Sequence, residues 1–147
     1  MLSRTQVTHG YLHRPQETAR LLDPDGWLHS GDIGHVDDDG YFYVVDRVKE
    51  LIKYKGLQIA PAELEAVLVS HPAIADAAVV RVPDEQAGEV PKAFVVATAD
   101  LAAHEVMDYV AERVAPHKRV RHVEFIDQIP RSLSGKILRR VLMERDR

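Results

Sequence analysis

Three segments of this 147-residue chain concentrate side chains able to handle an anionic ligand. HSGDIG sets Asp32 between Gly31 and Gly34, small neighbours that let a ligand or another backbone come close. A carboxylate there can accept two hydrogen bonds from a ribose diol; equally, the segment reads as a bulged strand with a polar residue facing water. DRVKELIKYKG gathers Arg47, Lys49, Lys53 and Lys55 within nine positions around one turn. Anion sites share that pattern with solvated edge strands, whose lysines deter pairing. RSLSGKILRR is the sharpest of the three. Ser132 or Ser134 can cap a last helix that places Lys136 in its first turn. A cation is unwelcome beside the positive end of a helix dipole unless an anion sits there as well. The pattern therefore argues for a phosphate or carboxylate near Lys136, against the plainer reading of a solvent-facing lysine whose flexible stem avoids the clash.

Other chemistries find little support. His9 and His13 have i, i+4 spacing, but nothing nearby completes a metal site. With no cysteine, disulfide frameworks, thiolate zinc sites and cysteine nucleophiles are excluded. GxSxG does not occur, and neither Ser30 nor Ser134 has an evident base.

A composition of 46% hydrophobic and 29% charged residues is that of a folded globular protein rather than a disordered one. No apolar run approaches the roughly 18–20 residues of a membrane span, and the N-terminus lacks the apolar core of a secretory signal, so a cytoplasmic location is expected. The net charge of −4 is unevenly spread, +6 from Arg113 onward and −10 before it. Because the late basic residues alternate with Val, Phe, Ile and Leu, they belong to a folded segment. Such an asymmetry can mean a basic tail for nucleic acid or membrane, or equally a local site for a phosphorylated ligand.

The elements that must position these groups follow from pattern. Residues 1–25 are polar and poorly periodic, ending in Asp23-Pro24-Asp25-Gly26. Aromatic and β-branched runs flank Asp37-Asp38-Asp39-Gly40, the clearest hairpin signal, and ELIKYKGLQIAP suggests a second hairpin turning at Lys55-Gly56. Pro61 suits the first position of a helix with Leu64, Val67 and Leu68 on its apolar face. AIADAAVVRVPD and EVPKAFVVAT read as strands. Asp100 can cap a helix burying Val106, Met107, Val110 and Val114, HVEFID reads as a third strand, and a last helix carries Ile137, Leu138, Val141 and Leu142. From residue 49 the order is hairpin, helix, strand, strand, helix, strand, helix, an α+β domain. The first 48 residues offer a hairpin without a visible core, and an isolated ribbon is marginal in water.

GWLHSGDIG, YFYVVDRVKELIKYKGLQIAPAELE and IPRSLSGKILRR, in this order and spacing, resemble the adenylate-forming superfamily, and their wording is most similar to its 4-coumarate–CoA ligase and luciferase branch. The resemblance implies a small C-terminal domain, residues 49–147, with a mixed three-stranded sheet packed by helices plus a short β-hairpin. Residues 1–48 would be a remnant of the large N-terminal adenylation domain, ending at the hinge. It further implies that Asp32 binds the ribose hydroxyls of ATP or AMP and that Arg47 helps hold the same nucleotide. Lys49 would stand at the hinge about which the small domain swings between two catalytic poses. Lys53 and Gln58 would contact the acyl-adenylate or take part in the chemistry, Lys55 and Gly56 would border the path of the CoA pantetheine arm, and Lys136 would be the catalytic lysine of adenylation. Arg131 departs from the lysine more usual before this last motif, a change expected to matter little.

Such an enzyme converts a carboxylic acid, ATP and CoA into acyl-CoA, AMP and pyrophosphate, with Mg2+ held by parts that this chain lacks. The phosphate-gripping loop, the acyl pocket and the metal-binding Thr-Glu motif do not occur here, so the sequence is expected to be the last part of a ligase and inactive alone. Its partners would be the missing N-terminal domain and the small-molecule substrates, with no nucleic acid and no membrane span. Self-association is expected through a surface including Trp27, Tyr41 and Tyr43. Two other readings stand beside this one: a non-catalytic module binding CoA, nucleotide or a partner protein, and an inert gene remnant.

Overall fold

In the computed structural model, which describes residues 7–145, no described residue before Leu51 is buried. The chain divides between Val44 and Val45 into two units. In the first, helix α1 (Pro15–Leu21) occupies part of the stretch whose weak periodicity gave no helix. It is a local structure: Pro15 supplies the preset φ of a first turn, the Thr18 hydroxyl accepts the Tyr11 N–H at 3.0 Å, and no residue of the helix is buried. Strands β1 (Asp32–Val36) and β2 (Phe42–Arg47) form the expected ribbon. The Asp37 carboxylate closes its turn by accepting the N–H groups of Asp39 (3.1 Å) and Tyr41 (2.9 Å), and the Tyr41 bond above all holds that carboxyl below its ordinary value of 3.8. Trp27, Tyr41, Phe42, Tyr43 and Val44 are all exposed.

The second unit has the core. Strands β3 (Ile52–Tyr54) and β4 (Leu57–Ile59) make the short hairpin, followed by helix α2 (Pro61–Val69). Strands β5 (Ile74–Asp84) and β6 (Gly88–Ala97) pair antiparallel over ten register positions. After helix α3 (Ala103–Ala111), strand β7 (His122–Phe125) lies parallel to β6, and helix α4 (Arg139–Glu144) ends the described chain. The mixed three-stranded sheet and the hairpin are thus both present, joined where Tyr54 pairs with Gly88. Side chains alternate across a strand, so a continuous apolar run must be covered on both faces. Ala77, Val79, Ala93 and Val95 pack with Leu64 and Leu68 of α2 and Val106 and Val110 of α3, whereas Ala78, Val80 and Phe94 pack with Ile129 and Leu142 of α4.

Two helix starts differ from expectation. Ala102, not Asp100, is the N-cap of α3, because Glu105 reaches back to accept the Ala102 N–H at 2.7 Å. Helix α4 begins at Arg139, so Ile137 and Leu138 precede it, Lys136 is not in its first turn, and neither Ser132 nor Ser134 caps it. The backbone donors are used elsewhere: Leu138 N–H bonds the Pro130 carbonyl at 2.8 Å, and the Ser132 hydroxyl accepts the Lys136 N–H at 3.2 Å. The helix-dipole argument for an anion at Lys136 falls with that correction.

Helix α4 is tied across the unit by charge. Arg139, mostly buried, sits 2.9 Å from Glu65 of α2 and 3.4 Å from Glu50, and Glu65 also accepts the Val79 N–H at 2.8 Å. Burial outweighs these attractions and pushes the Glu65 carboxyl above its ordinary 4.5, with Arg139 pulling the other way. A raised carboxyl pKa means the folded state holds the proton more tightly than the unfolded chain does. Its contribution to stability therefore falls as pH rises from 4.5 through the raised value. The stability of the native chain minus that of Glu65→Gln, followed by urea denaturation against pH, is expected to decline across that window. A difference that rises with pH would mean that the pull of Arg139 exceeds the cost of burial.

Candidate functional site

Register places two of the candidate residues face to face. Lys53 on β3 lies opposite Gln58 on β4, between the Ile52–Ile59 and Tyr54–Leu57 pairs. Ile52 and Ile59 point into the core, so Lys53 and Gln58 share the exposed face, with their Cβ atoms about 5 Å apart. The turn between them is Lys55-Gly56, with φ of 46° and 80°, the left-handed pair of a tight hairpin. Glycine adopts such a φ freely; Lys55 does so at a cost, and its N–H is held by the Ala87 carbonyl at 2.9 Å.

A cavity of about 500 Å³ opens beside this hairpin, lined by Lys49, Lys53, Gln58, Arg81 and Glu89 among others. Three candidate residues thus meet, and two that sequence reasoning missed stand with them. Glu89 accepts the Lys53 N–H at 2.8 Å, and Arg81 lies 3.6 Å from Glu89. The signal for Arg81 was present as the one cation in the apolar run AVVRVP.

Lys136 belongs to a second, separate structure. Residues 131–137 form a loop closed by an antiparallel bridge between Arg131 and Ile137, turning through Gly135 at φ 81°. Arg131 is the strut of this loop. Its guanidinium bonds both carboxylate oxygens of Asp76 on β5, at 2.9 and 3.0 Å, and the Gly135 carbonyl at 2.9 Å. Among the described residues the Lys136 ammonium has no ion-pair partner.

Strand β5 measures the distance between the two structures. The Lys136 loop hangs on Asp76, and the Lys53 amide hangs on Glu89, which pairs with Pro83 at the other end of β5. Seven residues of strand at about 3.3 Å each set these anchors roughly 23 Å apart.

Asp32 belongs to the first unit and Arg47 to the second. Asp32 opens β1 directly after Gly31, whose φ is 74°, and its N–H donates to the Ser30 hydroxyl at 3.3 Å. A Cβ on Gly34 would collide with the Tyr43 carbonyl oxygen, so that glycine serves the close approach of the two ribbon strands. Arg47 ends β2, and the adjacent Asp46 accepts the Ala62 N–H in the first turn of α2 at 3.1 Å. Among the described residues no three His, Asp or Glu side chains come together as metal ligands.

The sequence matches the profile of the AMP-binding enzyme C-terminal domain over residues 63–136, half of the chain. It is 59% identical to 4-coumarate–CoA ligase-like 9 of Oryza sativa subsp. japonica over 140 residues, covering 94% of this chain and 25% of that protein. The fold is similar to ATP-bound MatB of Rhodopseudomonas palustris, with TM-score 0.90, 30% identity, and 95% of this chain and 28% of that one covered. It is also similar to o-succinylbenzoate CoA synthetase (MenE) of Bacillus subtilis in complex with the acyl-adenylate intermediate OSB-AMP, with TM-score 0.84, 39% identity, and coverage of 93% and 28%. The chain thus spans about a quarter of the length of these proteins.

The strut makes a prediction of its own. Arg131→Ala removes charge-assisted bonds worth about 1.5 kcal/mol or more, so hydrogen exchange at the Lys136 amide is expected to quicken about tenfold. Unchanged protection at Lys136 would show that the loop closes without Arg131.

Proposed function

Since the chain belongs to the AMP-binding enzyme family and carries its C-terminal domain, we propose that it serves as the mobile small domain of an ATP-dependent, AMP-forming carboxylic acid–CoA ligase. In the first half-reaction a carboxylate oxygen attacks the α-phosphate of ATP and displaces pyrophosphate. Two negative groups must approach, and the Lys136 ammonium stabilises the charge of that transition state. Asp32 accepts hydrogen bonds from the ribose hydroxyls, and Arg47 holds the same nucleotide. In the second half-reaction the CoA thiol attacks the acyl carbon and AMP departs. The pantetheine arm then passes the Lys55-Gly56 turn, while Lys53 and Gln58, on one face of the hairpin, meet the acyl-adenylate. Lys49 is the hinge between the two poses.

The observation that carries this reading is the separation along β5. Anchors about 23 Å apart along the β5–β6 ladder set Lys136 and Lys53 toward its opposite ends, and a domain that uses both on the same reacting atoms would turn to present each. The kinship with acid–CoA ligases supplies the chemistry. Lys136→Ala in a whole ligase carrying this domain is expected to slow adenylate formation roughly a hundredfold to a thousandfold and to leave thioester formation from supplied acyl-adenylate near normal. Lys53→Ala should weigh more on the thioester step. Single-turnover assays of each step decide the matter, and equal losses in both for Lys136→Ala would overturn the assignment. The chain alone should give no ATP–pyrophosphate exchange.

The exposed ribbon completes the reading. Phe42 and Val44 are 79% and 72% exposed beside Tyr41 and Tyr43, an apolar surface of the kind that seeks a partner. The isolated chain is expected to self-associate with rising concentration through it, and a strictly monomeric species at high concentration in analytical ultracentrifugation would count against this.

A further inference from the structure

We propose that Arg81 is a positioning residue that sets where the hinge ends, by tying the Lys49 carbonyl to strand β5. The inference rests on the hinge reading of Lys49 given above. Lys49 is the middle residue of a short 3-10 turn, Val48–Glu50, between strands β2 and β3. So short a turn leaves its carbonyls without partners of its own. The Lys49 carbonyl finds one in Arg81, whose Nη1 donates to it at 2.9 Å. Turning the chain about φ or ψ of Lys49 carries this oxygen along with the residues that follow, Arg81 among them, so the bond survives the turn. Arg81 therefore keeps the Lys49–Glu50 peptide plane with strand β5 and leaves the turning to the bonds of Lys49 and the residues before it.

The guanidinium is itself aimed. Its Nε lies 3.6 Å from one oxygen of Glu89, whose other oxygen accepts the Lys53 N–H at 2.8 Å. Arg81 and Glu89 sit on paired strands, opposite Pro91 and Pro83 respectively, so they are diagonal neighbours across the β5–β6 ladder and are fixed by it. A planar fork can hold a carbonyl with one nitrogen and a carboxylate with another, which a point-charge ammonium does less well. One carboxylate and one guanidinium therefore span from the hinge carbonyl to the amide of the residue proposed to meet the adenylate. Beyond the pin, Leu51 and Ile52 are buried, so the freedom that Arg81 controls is confined to the few residues before them.

The Glu50 amide shares a peptide plane with the Lys49 carbonyl, so it reports directly. Nitrogen-15 relaxation on the 147-residue chain should give the Glu50 amide an order parameter of about 0.85 in the native protein and below about 0.6 in Arg81→Met. Amides of Val79 and Phe94 in the central strands are expected to stay unchanged, as a general loss of structure would not allow. Arg81→Lys should fall between the two, and it replaces the Met variant in the test should that one fail to fold. An unchanged Glu50 in a folded variant overturns the proposal. A loosened Glu50, together with equal losses in both half-reactions for Lys136→Ala, sustains the pin and counts against the ligase reading instead.

Discussion

The antiparallel pairing of β5 with β6 is the constraint on which the second unit depends. Ten register pairs fix two long strands against each other, and both faces of the pair are apolar. The faces oblige α2 and α3 to cover one side and α4 the other. The ladder's ends provide the mounting points, Asp76 for the Lys136 loop and Glu89 for the hairpin. Because a paired strand is stiff, the two lysines belong to one rigid frame. Their division of labour is then a matter of which end of the frame is presented.

The charge asymmetry of the sequence closes within this frame. Basic residues from the late, positive part of the chain reach back to acids in the earlier, negative part: Lys118 to Glu63, Arg131 to Asp76, and Arg139 to Glu50 and Glu65. These three basic residues are therefore structural. What a reading of net charge would assign to a ligand is spent on joining distant segments, and Lys136 stands out as a cation that no described carboxylate has claimed.

Much of the second unit was legible because its signals are local and periodic. Apolar, β-branched runs gave β5 and β6, and Lys55-Gly56 gave the turn of the hairpin that sets Lys53 opposite Gln58. The start of α4 was not legible. Whether Ser132 caps a helix or closes a loop depends on the Pro130 carbonyl taking the Leu138 N–H, a bond across eight residues that no local preference encodes. Arg131, Arg81 and Glu89 escaped for the same reason, since their partners lie 55, 32 and 36 positions away. Helix α1 escaped because it buries nothing and so imposes no pattern.

Strand β5 has one further side, its free one. It ends the order β4-β3-β6-β5, so eleven largely apolar residues present an unpaired edge, the usual template for another chain's strand. Three positions along it offer no free donor: the Ala77 N–H is taken by the Asp76 carboxylate, the Val79 N–H by the Glu65 carboxylate, and Pro83 has none. Glu65 thus occupies one of the donors through which a strand of another chain would pair. An exchange of this acid for an apolar residue that left the monomer folded would free that donor for another chain.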